Sequence, residues 1–227
     1  MANNNPEHEP SSRRTTVRRG AKRARYDLEE VRGILRDGFV AHVGVMTDEG
    51  PLVLPMIYGI TEDTMYLHGA LANSLLRSGA GREVCVTVTI VDGLVFAKTP
   101  FNSSMNYRSV VVRGAARVVT DAAEHLAALK IMTDHAVPTW DISRLPTESE
   151  MRATRVVALP LDEMSAKVRS GPAINEPEDE GAPYWAGFVP LTARFGEPVT
   201  NDDAGAVVPS VIAALSGRDA HNRRGQK

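Results

Sequence analysis

Short apolar runs separated by turn residues occupy much of the first half of the chain, a pattern typical of antiparallel strands. These runs lie at 39–47, 51–59, 64–69, 84–91 and 94–98. A longer strand is predicted over 106–119 with a bulge or bend at Gly114, and a last core strand over 154–161. Strands this short and numerous favour closure into a small antiparallel barrel, because closure removes exposed edges.

Helical periodicity is confined to three segments. Apolar residues on one helical face predict helices over 28–37, 71–79 and 121–135, the first beginning after Asp27 and ending before Gly38. The expected fold is therefore mainly β with peripheral helices. Because side chains fill the interior of a small barrel, a sizeable ligand should lie outside it, at a surface or between subunits.

Length and composition indicate a protein with one folded domain and an extension at each end. The chain has 227 residues, 43% of them hydrophobic, enough for one core. The predicted division is a disordered polar and basic tail over 1–16, a folded domain over 17–200, and a partly helical or disordered extension over 201–227. We expect a cytoplasmic protein without a membrane segment, since no apolar stretch approaches the roughly 20 residues of a spanning helix.

Cysteine and charge narrow the chemistry further. Cys85 is the only cysteine, which excludes an intrachain disulfide and a multi-cysteine metal site, and its apolar surroundings predict a buried strand residue. The net charge is −2, yet residues 1–26 hold seven basic and two acidic residues. We interpret this basic segment as solvated; contact with a nucleic acid is the alternative. No metal site is predicted.

The first candidate cluster follows the third strand. His68 stands at the strand end, and Asn73, Ser74 and Arg77 begin the predicted helix after it. Backbone N–H groups and a bidentate guanidinium suit an anion such as phosphate. The alternative is that Asn73 and Ser74 only cap the helix.

The second cluster lies at the entrance of the long strand. Ser104, Met105, Asn106, Tyr107 and Arg108 combine hydroxyl, thioether, amide, phenol and guanidinium groups. Strand alternation places Met105 and Tyr107 on one side and Asn106 and Arg108 on the other, which suits a planar, hydrogen-bonding ligand. A surface loop with a solvated Arg108 is the alternative.

The third cluster joins two cations to an aromatic residue. Lys167 and Arg169 precede a Gly-Pro turn and could receive an anionic substrate, although exposed cations beside a loop are ordinary. Trp185 could pack on the body of the protein, on a second subunit or on a flat ring.

These segments together carry a resemblance to a known family. The chain resembles the flavin-nucleotide-binding proteins of the pyridoxamine 5'-phosphate oxidase-like superfamily, in the branch related to nitroimidazole-resistance proteins. The matching motifs are YLHG at 66–69, VCVTVTIVDGL at 84–94, SMNYRSVVV at 104–112, SAKVR at 165–169 and WAG at 185–187.

The resemblance implies an FMN-binding split β-barrel that forms a homodimer with a flavin at each end of the subunit interface. His68, Asn73, Ser74 and Arg77 would lie near the flavin phosphate and ribityl chain, and residues 104–108 would line the same cleft. The backbone of Pro55 and Met56 would flank the isoalloxazine, with Trp185 close by.

The implied activity is an FMN-dependent oxidoreductase that acts on a small organic substrate held by Lys167 and Arg169. The alternative is a protein that binds flavin or haem for storage or sensing without turnover. A deazaflavin is a further alternative for the flat cofactor. No general acid or base is assigned.

Overall fold

Two antiparallel sheets form the body of the protein. The computed structural model describes residues 9–69, 81–201, 205 and 207–222, and within these ranges it contains eleven strands. The strands are β1 Ala24–Arg25, β2 Ala41–Thr47, β3 Gly50–Met56, β4 Tyr58–Ile60, β5 Thr64–His68, β6 Glu83–Phe96, β7 Ser104–Ala115, β8 Arg117–Val118, β9 Val156–Pro160, β10 Glu163–Arg169 and β11 Gly187–Pro190. The helices are α1 Leu28–Asp37, α2 Ala122–Ala136, α3 Glu148–Ala153 and α4 Ser210–Ala213.

The larger sheet has the order β1-β10-β7-β6-β2-β3, and β11 pairs with β6. The smaller sheet has the order β4-β5-β9-β8. Their facing sides, together with α1, enclose one aliphatic core that includes Leu35, Val86, Val110 and Leu159. The architecture is an antiparallel split β-barrel, which confirms the predicted fold class.

The longest strand differs from its prediction. Residues 84–91 and 94–98 were expected to be two strands joined by a turn at Asp92-Gly93, but β6 runs without a break through this point. A bulge lies there instead: Val91 pairs with Tyr107 and Gly93 with Asn106, so Asp92 is an extra residue. The backbone of β11 passes so close that a Cβ on Gly93 would lie 2.7 Å from the Val189 carbonyl oxygen.

The carboxyl-terminal half of the barrel also differs. The strand predicted over 154–161 is β9, whereas β10 follows two residues later and was not predicted. β10 lies beside β7, with Lys167 opposite Ser109 and Arg169 opposite Tyr107. The segment that carries both predicted substrate cations is therefore a strand of the larger sheet.

The helices lie outside the sheets. α1 has the predicted bounds, and the Asp27 carboxylate accepts from the Glu30 N–H at 2.7 Å. α2 packs on the smaller sheet so closely that a Cβ on Gly59 would lie 2.7 Å from the Ile131 carbonyl oxygen. The helix predicted over 71–79 falls outside the described residues. Within the described ranges, no helix is long and apolar enough to cross a membrane.

One residue that was predicted to be buried lies at the surface. Cys85 is exposed, because its side chain points away from the core on β6 while Val84 and Val86 point into it. An apolar neighbourhood in the sequence does not distinguish the two faces of a strand when both faces carry uncharged residues.

Candidate functional site

The side of the larger sheet that faces away from the core carries few charges. We call it the outer face and define it by His42, Val53, Pro55, Cys85, Tyr107 and Arg113. Met46, Val53, Leu94, Phe96 and Met105 are all exposed there. Isolated exposed apolar residues are ordinary, but several on one flat sheet are typical of a binding or subunit surface.

One end of the outer face is aromatic. β11 sets Gly187 opposite Phe96, and the Phe96 and Trp185 rings lie with centroids 6.0 Å apart and planes tilted by 47°. Trp185 is 66% exposed, so its ring has free surface. Ser104 and Met105 begin the neighbouring strand β7 beside this pair. The structure thus brings Trp185 and Met105 to one aromatic corner, whereas Ser104 lies opposite the inward-pointing Val95.

Arg108 lies on the opposite side of β7 and has internal partners. Its Nε and Nη2 donate to the Asp92 carboxylate at 3.0 and 2.9 Å, and its Nη1 donates to Asp37 Oδ2 at 2.8 Å. Nη2 also donates to the His221 carbonyl oxygen at 3.2 Å. The guanidinium therefore joins the bulge, the end of α1 and the carboxyl-terminal segment. These contacts give Arg108 a structural role in this chain.

Asn106 and Arg169 form a buried polar pair near the aromatic corner. Asn106 is 5% and Arg169 8% exposed, and Arg169 Nη1 donates to Asn106 Oδ1. The Asn106 amide and Arg169 also donate to the carbonyl oxygens of Gly171 and Pro172 at 3.1 and 3.2 Å. Burial, and then the nearby Arg23, lower the pKa of Arg169. All partners of this guanidinium within the described residues are neutral.

Lys167 lies two residues before Arg169, on the same side of β10. β1 pairs with β10 so that Ala24 is opposite Lys167, which brings Arg23 to the same edge. A Cβ on Gly20 would lie 3.3 Å from Lys167 Nζ and 4.0 Å from Arg23 Cδ. Gly20 has a φ of 69°, so the left-handed turn favours glycine, and the missing side chain lets Lys167 approach closely. Three cations thus gather at one sheet edge.

His68 occupies a different sheet. It ends β5 opposite Val156, and alternation along the strand places it with Tyr66 on the side that faces α2. Burial lowers the pKa of His68, so the ring is neutral at neutral pH. Within the described part of the chain, the ring has no hydrogen-bond partner. A neutral, half-buried imidazole can act as a ligand group.

The remaining predicted residues divide into two groups. Pro55 lies on the outer face opposite His42, whereas Met56 packs against the core. Both end β3, three strands away from β7, or about 14 Å at the usual strand spacing. Asn73, Ser74 and Arg77 lie outside the described residues.

Sequence reasoning missed Gly20 and Arg23. Both belong to a segment, 10–26, that holds seven cations and no acidic residue. That charge run was visible, but only the pairing of β1 with β10 places it against Lys167. The partners of Arg108 were missed because Asp37, Asp92 and His221 are far apart in the sequence.

Fold and surface together define a split barrel with a largely uncharged, partly aromatic outer face and a cationic edge. The profile of the family "Pyridoxamine 5'-phosphate oxidase" matches residues 27–168, which is more than half of the chain. The chain belongs to this family, in the superfamily of oxidase-like split barrels.

Two solved structures are similar over most of their length. The flavocytochrome Anf3 from Azotobacter vinelandii is 33% identical, with a TM-score of 0.84 over 92% of this chain and 100% of that chain. An FAD and haem binding protein from Mycobacterium smegmatis is 32% identical, with a TM-score of 0.81 over 88% of this chain and 100% of that chain. No curated protein sequence matches.

Proposed function

We propose that this protein binds a flavin and a haem and transfers electrons between them. The observation that carries the proposal is the likeness to the flavocytochrome, 33% identical over 92% of this chain, and to the FAD and haem binding protein. The family resemblance alone favours FMN. The named ligand of the second relative favours FAD, and we therefore propose FAD as the flavin.

The surface chemistry fits a flat, anionic cofactor. The exposed ring of Trp185 beside Phe96 offers apolar area for a planar ring system, since aromatic rings stack in offset or tilted geometries. Arg169 and Lys167 offer positive charge for phosphate groups. These two features lie at the same end of the larger sheet, within reach of one extended ligand.

His68 is our candidate ligand for haem iron. Among the described histidines, His135 and His221 contact backbone carbonyl oxygens at 2.9 and 3.1 Å. His125 Nε2 is buried and therefore closed to a ligand. His68 is half-buried and neutral, the state in which imidazole ligates a metal. His42 is exposed on the outer face and is the natural control.

Each part of the chain then has a separate task. When bound, the flavin would supply hydride chemistry and the haem iron single-electron chemistry. The aromatic corner orients the ring, the cationic edge holds the phosphates, and His68 fixes the iron. The buried Asn106–Arg169 pair stiffens the strand ends, which holds these groups in place.

A homodimer follows from the same proposal. In one chain Pro55 and Tyr107 are too far apart to contact one ring, but pairing two outer faces would bring Pro55 of one subunit near Tyr107 of the other. The exposed apolar residues of the outer face support this arrangement. Sedimentation at increasing chain concentration tests it, and a Val53→Lys variant should shift the equilibrium towards monomer.

The absorption spectrum of the purified protein tests the proposal directly. We expect flavin bands and a Soret band together, and mass analysis of the released flavin separates FAD from FMN. The His68→Ala variant should lose haem while His42→Ala keeps it. Anaerobic reduction of the flavin should then reduce the haem. A protein with flavin but no haem, which turns over small organic acceptors, would instead support a simple flavin-dependent oxidoreductase.

A further inference from the structure

Arg169 presents an unusual electrostatic situation. A guanidinium carries its charge at all physiological pH values, and buried charges are normally paired with an opposite charge. Arg169 is 8% exposed, yet it donates only to Asn106 and to the carbonyl oxygens of Gly171 and Pro172. Within the described ranges, no carboxylate pairs with it, and its Nε–H has no acceptor.

The neighbouring cations increase this imbalance. Lys167 and Arg23 also lack a carboxylate partner within the described residues, although Arg25 of the same segment pairs with Glu30 at 3.2 Å. The repulsion from Arg23 adds to burial in lowering the pKa of Arg169. Backbone pairing of β1, β10 and β7 keeps the attachment points of these side chains close to one another.

The turn at Gly20 lies directly against the Lys167 side chain. The turn at Gly20 is closed by the Arg23 N–H, which donates to the Gly20 carbonyl oxygen at 2.9 Å. The glycine has no side chain, and Lys167 Nζ and Arg23 Cδ border the space that a Cβ would fill. The Tyr107 side chain lies beside Arg169 across the strand pair. A small oxyanion at this edge would contact cations from β10 and from the turn that precedes β1.

We propose that Arg23, Lys167 and Arg169 form an oxyanion site that binds a phosphate group. Three cations that no carboxylate of the described residues neutralises suit a multiply charged oxyanion better than a single carboxylate. Arginine, which can bind two oxygens at once, and lysine, which acts as a point charge, are the usual phosphate ligands. The phosphate belongs either to the proposed flavin or to a separate phosphorylated molecule. Only the choice between these two sources rests on the proposed function.

The experiment uses the full-length protein as purified and compares two variants with two controls. Lys167→Gln and Arg23→Gln each remove one half-buried cation of the site. Lys22→Gln and Arg18→Gln remove the same charge from exposed positions of the basic segment and serve as matched controls. The four substituted side chains have no hydrogen bond or ion pair within the described residues, so all variants should fold.

The first arm measures the affinity of each variant for FAD, FMN and riboflavin by fluorescence titration. If the site holds a flavin phosphate, the affinity of the two site variants for FAD or FMN should fall by at least about tenfold. Their affinity for riboflavin, and the affinity of the two control variants for all three flavins, should stay unchanged. Flavin and haem content are recorded separately from the spectrum. A protein without flavin would refute the proposed function but leave the second arm intact.

The second arm titrates inorganic phosphate into the protein by calorimetry at low ionic strength. If the phosphate comes from another molecule, the wild type binds inorganic phosphate, the two site variants bind it about tenfold or more weakly, and flavin affinity does not change. Equal weakening in the controls would mean general charge attraction and would overturn the site. The site would also be overturned if the two site variants bound both the flavins and inorganic phosphate as tightly as the wild type.

Discussion

Replacing Arg108 by methionine separates a structural role from a ligand-binding role. The change keeps most of the side-chain length but leaves Asp37 and Asp92 without their shared cation. Removing one partner of a buried pair costs about 3–5 kcal/mol, whereas exposed pairs contribute about 0–1 kcal/mol. The side chains of Arg108, Asp37 and Asp92 are 25%, 10% and 36% exposed. We expect an intermediate loss of about 2–3 kcal/mol, reduced from the buried value because water screens the pair.

Urea-induced unfolding, followed by circular dichroism at a fixed chain concentration, measures this loss. Each kcal/mol shifts the melting temperature by about 2–4 °C at this size, so Arg108→Met should melt about 4–12 °C lower. Arg113→Met on the same strand, at an exposed position, should change stability by no more than about 0.5 kcal/mol. Adding Asp92→Asn to Arg108→Met should restore part of the loss, since it removes an unpaired carboxylate.

The flavin content of the folded variant completes the test. If Arg108 is structural, Arg108→Met should retain its flavin at any temperature where it is folded. If Arg108→Met unfolds at the same urea concentration as Arg113→Met but loses its flavin, the structural role is refuted and Arg108 is a cofactor-binding residue.

Three further predictions concern other parts of the chain. Gly59→Ala should destabilise the protein by about 1–3 kcal/mol in urea unfolding, because its methyl group would collide with the α2 backbone, whereas Gly196→Ala, which has open space, should be neutral. The Arg144 guanidinium and then Thr147 lower the pKa of Glu150 to about 2. The stabilisation that the ionised Glu150 carboxylate gives to α3 is therefore complete above pH 4.5 and is lost as the pH falls towards 2. NMR titration should show a midpoint at about pH 2 for Glu150, and Arg144→Ala should raise that midpoint. Cys85 should react quickly with a thiol reagent in dilute protein and slowly at high concentration if the outer faces pair; equal rates would oppose that pairing.

The sequence predicts most of the framework, because strand alternation and helix caps are local signals. α1 matches its prediction, since one apolar stripe and one capping carboxylate define it. Asp92-Gly93 was misinterpreted because the same dipeptide suits a turn and a bulge. Only the β11 backbone beside Gly93 and the guanidinium of Arg108 distinguish the two, and both come from distant parts of the chain.

The candidate site was predictable in its residue types but less so in its partners. Residues 104–108 were expected to divide between two sides of a strand, and the register of β7 places them so. Sequence alone could not assign Arg108 to Asp37 and Asp92, nor bring Arg23 to Lys167, because these contacts depend on which strands become neighbours. The tail and domain boundaries, the cytoplasmic location and the homodimer stay predictions.

The single inserted residue at the bulge has a consequence for how this surface can change. It reverses the alternation of β6, so that Val95 points inward and Leu94 and Phe96 point outward. Deleting Asp92 would leave a regular ladder in which Leu94 still lies opposite Met105 and both exposed side chains stay outward, but it would remove the carboxylate that anchors Arg108. The outward face of the aromatic corner therefore does not depend on the extra residue, whereas the ion network behind it does.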